Sequence, residues 1–272
     1  MRHVARIAAL AAALTATTAG AEEIGPADLS SLPAADVVVL GETHDNPEQH
    51  ANQAAAVRAL APKALVFEML TPGQAAKVTP GLRLDGVALG QALGWAESGW
   101  PDFAMYFPIF SAAPEAQIYG AALPRDEVRR SVTEGAAAVF GDTAGLYGLD
   151  TPLPAAELDQ RIDDQREAHC NALPEHLLPG MVEAQRLRDA ALARAARQAL
   201  DETGGPVAVI AGNGHARTDW GLPAAFARVA QDARLISVGQ IEGAATGAPP
   251  YDYWLVTGVA ERDDPCAALT GG

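Results

Sequence analysis

Six short apolar runs recur along the chain, and each is bounded by glycine, proline or polar residues. Runs of this kind are typical of strands that are buried on both faces of a sheet. The predicted strands are residues 36–40, 64–68, 117–122, 207–211, 234–238 and 253–257. Stretches with helical periodicity separate several of these runs, so the pattern predicts an alternation of strands and helices.

Three of the intervening stretches carry clear helix signals. The segment 47–61 follows Asn46 and begins with Pro47, which is a favourable combination of N-cap and first helical residue. The segments 125–139 and 181–200 also predict helices, the second with alanine and leucine residues along one face. We therefore predict an α/β fold with a mainly parallel sheet that is flanked by helices on both faces.

The region from about residue 146 to 180 departs from this alternation. It contains four prolines, clusters of mixed charge and no strand pattern. We predict that it is a helical cap inserted into the α/β domain and not a second domain. A chain of 272 residues has room for one substantial domain, which we assign to residues 22–272.

The first 21 residues have the features of a secretory signal peptide. Arg2 and Arg6 precede an apolar run at 7–14, and Ala19-Gly20-Ala21 matches an A-x-A cleavage site. The run is too short to span a bilayer. We predict cleavage after Ala21 and export to the periplasm. There is no cysteine near the predicted cleavage site, so a lipid anchor is not expected. No other stretch of the sequence predicts a transmembrane segment.

Charge and cysteine content narrow the classes of partner. The formal net charge is −15, which argues against nucleic acid and against an anionic membrane surface, because both favour basic proteins. The two cysteines, Cys170 and Cys266, form an even pair in a chain predicted to be exported. We expect them to form a disulfide. The alternatives are two unrelated thiols, or a metal pair formed by His169 and Cys170.

Acidic residues and histidines follow three of the predicted strands. Glu42 and His44 follow the first, Glu68 ends the second, and His215 follows 207–211. Ligands of parallel α/β sheets lie beyond the carboxyl ends of the strands, so we expect these four side chains to meet there. Each residue alone has a simpler explanation as part of a turn. Their coincidence, with two Gly-x-x-His motifs, predicts a functional site.

These residue types leave two kinds of chemistry open. Imidazole and carboxylate groups bind divalent transition metals, and they also serve in general acid–base catalysis. A metal held by Glu42, His44, Glu68 and His215 would activate water for hydrolysis. Iron in a haem would instead need only one or two axial ligands. The chain lacks a nucleophile elbow, a P-loop and a dinucleotide fingerprint.

Five aromatic residues are concentrated in a segment that is too irregular for a plain core helix: Trp95, Trp100, Phe103, Tyr106 and Phe107. The segment is either a loop that covers the core or the wall of a flat apolar pocket. In the second case Trp100 and Phe103 would contact haem, and Tyr106 or His44 would ligate its iron. Arg125 follows the third strand and would face an anionic group, unless it is simply solvated. The segment 183–189, near the start of the long predicted helix, is either a solvent-exposed face with i,i+3 and i,i+4 ion pairs or part of the same pocket.

Six motifs resemble the ChaN family of bacterial haem-binding uptake proteins. They are Leu40-Gly-Glu-Thr-His-Asp-Asn-Pro47, Trp100-Pro-Asp-Phe103, Leu123-Pro-Arg125, His169-Cys170, Met181-Val-Glu-Ala-Gln-Arg-Leu-Arg-Asp189 and Ala211-Gly-Asn-Gly-His215. The resemblance extends from about residue 36 to 266. The family is grouped with the Tiki/TraB and erythromycin-esterase-like proteins through paired Gly-x-x-His motifs, which here lie at 41–44 and 212–215.

The resemblance implies two functions. The leading hypothesis is haem capture for iron uptake, with a helical cap over an α/β core and a homodimer that encloses the haem. The alternative is a metal-dependent hydrolase of peptidase or esterase type that uses Glu42, His44, Glu68 and His215, since paired motifs of this kind accompany a metal-dependent peptidase activity in Tiki proteins. Whether the chain is an enzyme is left open by these motifs. The lipobox cysteine of ChaN lipoproteins is missing, so a membrane anchor is not implied.

Overall fold

The computed structural model describes residues 20–264 and 266–267. Most of the predicted signal peptide, residues 1–19, lies outside the described residues. The strands are β1 (Glu22–Glu23), β2 (Val37–Glu42), β3 (Ala64–Phe67), β4 (Gln117–Gly120), β5 (Val207–Gly212), β6 (Leu235–Glu242) and β7 (Tyr253–Thr257). The helices are α1 (Pro47–Leu60), α2 (Pro72–Ala75), α3 (Gly86–Leu93), α4 (Phe103–Ala112), α5 (Arg125–Glu134), α6 (Ala136–Phe140), α7 (Ala155–Ala168), α8 (Leu178–Thr203), α9 (Asn213–Ala216) and α10 (Leu222–Val229).

Within the described residues the seven strands form one parallel sheet in the order β1-β7-β6-β2-β5-β3-β4. The predicted α/β fold is therefore confirmed. All six predicted strands are present, with ends that differ by up to a few residues. The two-residue strand β1 was missed, because a segment this short has no apolar pattern of its own.

Local sequence accounts for the ends of several helices. Helix α1 begins at Pro47, and the side chain of Asn46 accepts hydrogen bonds from the backbone N–H groups of the next turn, as predicted. The predicted helix at 125–139 is instead divided into α5 and α6. Gly135 separates them with a φ of +86°, a conformation that favours glycine and ends a right-handed helix.

Both faces of the sheet are covered by helices. In β2, Val38 and Leu40 belong to the core that includes α1 and α4, whereas Val37 and Val39 belong to the core that includes α8 and α10. Burial on both faces explains why these strands are continuous apolar runs without alternation. Each such aliphatic side chain contributes roughly 1.5–3 kcal/mol when it is fully buried.

The strand order positions the site. Strand β5 lies between β2 and β3, and Ile210 is paired with both Leu40 and Phe67. Strand β5 is thus inserted between β2 and β3 although 139 residues of the chain, 68–206, separate it from β3. Since all three strands are parallel, their carboxyl ends lie side by side, and the residues that follow them meet at one edge.

The region predicted as a cap is largely helical. It contains α7 and the start of α8, and α7 packs along α8. None of the helices in the described part of the chain is both long and apolar enough to span a bilayer.

Cys170 and Cys266 form the predicted disulfide, which joins the end of α7 to the C-terminal tail across 96 residues of sequence. The tail is also held at the carboxyl edge of the sheet. Arg262 forms ion pairs with Asp45 and Glu242 at 2.7 Å and 2.5 Å. The cap and the tail are therefore linked to each other by a covalent bond, and the tail is linked to the sheet by charge.

Replacing Cys170 and Cys266 together by serine should lower the free energy of unfolding by about 2–4 kcal/mol, because the cross-link restricts a long loop of the unfolded chain. Urea unfolding of the wild type and the double variant measures this difference. Wild-type protein kept in reductant is the control and should behave as the double variant does. A difference below about 0.5 kcal/mol would contradict the prediction.

Candidate functional site

A cleft of about 1080 Å³ lies at the edge where β2, β5 and β3 end. Strand β2 contributes Glu42 and the adjacent His44, Glu68 directly follows β3, and α9 contributes His215 after β5. All four predicted side chains line this cleft. The topology brings them together from positions up to 173 residues apart, 42 and 215.

Glu42 organises the β2 side of the cluster. Its buried carboxylate accepts hydrogen bonds from His44 Nδ1 at 2.8 Å and from the hydroxyl of Tyr106 at 2.9 Å, while His50 Nδ1 lies 3.2 Å from the second oxygen. Burial alone would raise the pKa of Glu42, but the contacts with His44 and His50 outweigh it and lower the pKa. An ionised Glu42 requires the proton of a neutral His44 to lie on Nδ1. His44 Nε2 is then the unprotonated nitrogen.

A matching pair lies on the β5 side. His215 Nδ1 is 2.6 Å from Asp189 Oδ1, and His215 Nε2 is 3.3 Å from Glu68 Oε1. Burial alone would lower the pKa of His215, but the charges of Glu68 and Asp189 raise it to about 10. Burial alone would raise the pKa of Glu68, whereas His215 and then His44 lower it to about 2. Glu68 and His215 therefore form a charged pair at neutral pH.

Glu68 lies between the two imidazoles. Its Oε1 is 4.0 Å from His44 Nε2 and 3.3 Å from His215 Nε2, and its Oε2 accepts a hydrogen bond from the backbone N–H of Gly212 at 2.7 Å. The His44 side chain is 34% exposed, whereas those of Glu68 and His215 are 11% and 7% exposed. His44 is thus the member of the cluster that a ligand in the cleft can reach most easily.

The predicted four-ligand metal site is not preformed. Across residues 20–264 and 266–267, no group of three or more His, Cys, Asp or Glu side chains has an arrangement that would hold a metal ion. The four residues are engaged with one another and with neighbouring carboxylates. Even so, a carboxylate on Nδ1 with Nε2 left for a ligand is the arrangement that metal-bound histidines commonly have.

Of the five aromatic residues in the segment 95–107, Trp100 alone lines the cleft. Its ring centroid lies 4.8 Å from that of His44 in an edge-on arrangement. Phe103 packs against Trp95 and Phe110, at centroid distances of 5.0 Å and 5.8 Å, and is not part of the lining.

Tyr106, one of the two residues that we considered as an iron ligand, is fully buried. Helix α4 directs the ring into the core, where the hydroxyl is bound to Glu42. Burial, together with the charge of Glu42, raises the pKa of Tyr106 well above its usual range, so the phenol stays protonated. In this arrangement Tyr106 has no access to a ligand in the cleft, and its position corrects our expectation of a coordinating phenolate.

Three arginines line the cleft. The predicted Arg125 donates a hydrogen bond from Nη2 to the carbonyl of Ser98 at 2.7 Å. Arg129 and Arg188 also line it and form no ion pair within the part of the chain that the structure describes. They provide positive charge beside an otherwise acidic cluster.

Asp189 and His50 are the titratable residues of the cluster that the sequence-based prediction did not assign. Asp189 is 2% exposed in α8, and all the other buried residues of that helix except Arg186 are alanine, leucine or valine. An acid on an apolar face is a signal that such a residue has a buried partner. His50 lies one turn into α1 and is fully buried, but its spacing from Glu42 carries no recognisable motif.

The family model described as "Haem-binding uptake, Tiki superfamily, ChaN" matches residues 29–226. The chain belongs to the ChaN family. Both Gly-x-x-His motifs, at 41–44 and 212–215, lie within the matched range. No curated protein gives a significant match.

Three solved structures are similar to this ChaN-family chain, and the first of them shows its fold. ChaN of Campylobacter jejuni, described as binding haem cofacially, has 20% sequence identity and a TM-score of 0.60, with 83% of this chain and 88% of that chain covered. The type III effector HopBA1 has 12% identity and a TM-score of 0.43, with 86% and 91% covered. A Bacillus cereus protein has 16% identity and a TM-score of 0.36, with 80% and 70% covered.

Gly212→Ala should displace His44 without unfolding this ChaN-family protein. A Cβ at Gly212 would lie 2.9 Å from His44 Nε2, which is too close, and the imidazole is the group free to move. We expect altered NMR chemical shifts for the His44 ring and a change in the free energy of unfolding below about 1 kcal/mol.

Gly214→Ala is the matched control, since the nearest atom to a Cβ there is Gln185 Nε2 at 3.7 Å, an ordinary contact. An unchanged His44 signal in Gly212→Ala would show that the ring does not lie against this backbone position.

Proposed function

We propose that this chain binds haem in the cleft and contributes to haem or iron uptake in the periplasm. The observation that carries the proposal is the match of most of the chain to the ChaN family of haem-binding uptake proteins. A cleft of about 1080 Å³ supports it, since small-molecule sites typically measure about 300–1,000 Å³. The Cys170–Cys266 disulfide is consistent with an oxidising compartment and hence with export.

His44 is the residue we propose as the axial ligand of haem iron. Its Nδ1 is held by Glu42 at 2.8 Å, and Nε2 forms no hydrogen bond within the described residues. A carboxylate partner fixes the orientation of the ring and raises the basicity of the other nitrogen. His215 is less suitable because its Nε2 is already 3.3 Å from Glu68 and its side chain is only 7% exposed.

The arginines of the cleft suit the propionates of haem. Guanidinium groups bind carboxylates with charge-assisted hydrogen bonds, and Arg125, Arg129 and Arg188 all line the cleft. Such local charge is needed because the protein as a whole carries a formal charge of −15. Trp100 adds an apolar aromatic surface beside His44.

We include a homodimer in the proposal. The cleft is open to solvent on one side, and a planar ligand held by one chain would leave a face for a second chain to cover. The Campylobacter jejuni ChaN is described as binding haem cofacially, which fits a shared site. The same arrangement would shield haem from water.

Haem titration tests the proposal and separates His44 from Tyr106. Adding micromolar haem to the purified protein should produce a Soret band, and His44→Ala should weaken binding by about tenfold or more, which corresponds to about 1.4 kcal/mol. Tyr106→Phe should retain binding because the ring does not reach the cleft. The absence of a spectral change would refute haem binding. Loss of the band in Tyr106→Phe alone would refute the assignment of the ligand.

A second candidate function is metal-dependent hydrolysis. It is favoured by one observation: the Nε2 atoms of His44 and His215 both face Glu68, and a carboxylate holds the Nδ1 atom of each ring. His44, Glu68 and His215 would have to close around a divalent metal to hold it, because they are not preformed as a metal site, with Glu42 and Asp189 orienting the rings. A bound metal would supply an activated water for peptide or ester cleavage.

Metal analysis after gentle purification tests this second function. The wild type should carry about one equivalent of metal, and His44→Ala and His215→Ala should each lose most of it, since three ligands are needed to hold such an ion. His176→Ala is the control, because His176 is exposed and outside the cleft. Equal metal content in all four proteins, without cleavage of peptide or ester substrates, would exclude the hydrolase.

A further inference from the structure

A second cavity, of about 210 Å³, lies between α7, α8, α10 and the segment before α7. We call it the arginine cavity, because its lining includes Arg161, Arg186 and Arg228. Asp189 is shared between the two sites. Its Oδ1 contacts His215 of the main cleft, and the same side chain lines the arginine cavity.

Arg161 has donors without acceptors. Its side chain is 9% exposed, and Nη2 is bound to Glu157 Oε1 at 2.6 Å. Nε and Nη1 have no hydrogen-bond partner within the described residues. Leaving a buried polar group unpaired costs about 1–3 kcal/mol, and more for a charged one. The cavity therefore favours an acceptor beside Arg161.

Asp189, in contrast to Arg161, offers an acceptor and not a donor. The residue is 2% exposed, and its Oδ2 has no hydrogen-bond partner in the part of the chain that the structure describes. Oδ1 is occupied by His215 at 2.6 Å. A group in the arginine cavity that reached Oδ2 would have to donate a hydrogen bond. A suitable ligand thus combines acceptors for Arg161 with a donor for Asp189.

Arg228 adds a second available cation. It is exposed, and a Cβ at Gly148 would lie 2.7 Å from its Nε and Cζ, so the guanidinium rests on this glycine. Arg228 forms no ion pair within residues 20–264 and 266–267. Arg186, in contrast, is already bound to Glu183 at 2.6 Å and to backbone carbonyl groups.

The other acids of the lining are already engaged in ion pairs and are not available to the unpaired nitrogens of Arg161. Glu157 is paired with Arg161 through Nη2, and Asp219 is paired with Arg217 at 2.8 Å. Within the described residues, the groups left without hydrogen-bond partners are therefore Nε and Nη1 of Arg161, the guanidinium of Arg228 and Oδ2 of Asp189. In this set the unpaired N–H donors of the two arginines outnumber the one acceptor oxygen.

We propose that the arginine cavity binds a small oxyanion that carries a hydroxyl group. The charged oxygens would accept hydrogen bonds from Arg161 and Arg228, and the hydroxyl would donate to Asp189 Oδ2. Inorganic phosphate and 2-hydroxycarboxylates share this chemistry at neutral pH. Sulfate and acetate are anions of similar size that lack the hydroxyl. The arginine cavity is joined to the main cleft through the contact of Asp189 with His215, but binding there needs no haem.

Calorimetric titration of the haem-free protein tests the proposal with four probes: phosphate, glycolate, sulfate and acetate. We expect saturable binding at one site for phosphate or glycolate, and the difference between these two identifies the source of the hydroxyl. Sulfate and acetate should bind at least about tenfold more weakly than the hydroxyl-bearing probes, since they leave Asp189 Oδ2 unpaired.

Substitutions in the lining test whether the anion binds in the arginine cavity. Arg228→Ala removes an exposed side chain and should leave the fold intact while weakening binding about tenfold, and Arg161→Gln should abolish it. Arg130→Ala is the matched control, because Arg130 is an exposed arginine paired only with Glu134. Circular dichroism checks the fold of each variant.

Three results would overturn the proposal: no saturable heat with phosphate or glycolate, sulfate or acetate binding as tightly as the hydroxyl-bearing probes, or unchanged binding in a folded Arg228→Ala variant. The first would mean that water alone occupies the cavity. Because haem is absent from this experiment, failure of haem binding and failure of the oxyanion site are distinguishable.

Discussion

The pairing of β5 with both β2 and β3 is the constraint on which the candidate site depends. Ile210 is paired with Leu40 on one side and with Phe67 on the other, so the three strands end at nearly the same level. Parallel direction then places the residues that follow each strand at one edge. A shift of β5 by one residue would exchange its two faces and would separate His215 from Glu68.

The cluster at this edge keeps its charges paired although most of it is buried. Three carboxylates, from Glu42, Glu68 and Asp189, alternate in contact with three imidazoles, from His44, His50 and His215. Buried charges persist only when they are paired and hydrogen-bonded. The network orients His44 and His215 from behind and leaves His44 Nε2 facing the cleft. Asp189 extends the network to the arginine cavity, where its second oxygen has no hydrogen-bond partner among the residues that the structure describes.

Local signals were sufficient for most of the fold. Strands buried on both faces need apolar residues at every position, which is why runs such as Val37–Leu40 could be recognised without an alignment. Asn46 and Pro47 marked the start of α1 for a local reason, the N-cap hydrogen bonds. The interruption at Gly135 was not predicted, because glycine is tolerated within some helices and its positive φ is set by packing. Strand β1 exists only through its pairing with β7.

The sequence by itself determined which strand ends carry acids and histidines, and hence that Glu42, His44, Glu68 and His215 belong to one edge. The tertiary structure decided how they are used. Folding of α4 turned Tyr106 into the core to bind Glu42, and packing of α8 brought Asp189 against His215. Neither contact follows from local periodicity, since each joins side chains that lie far apart in the chain and depends on how a helix is rotated about its axis. The same rotation of α8, together with the placement of α7, formed the arginine cavity, which no sequence motif predicted.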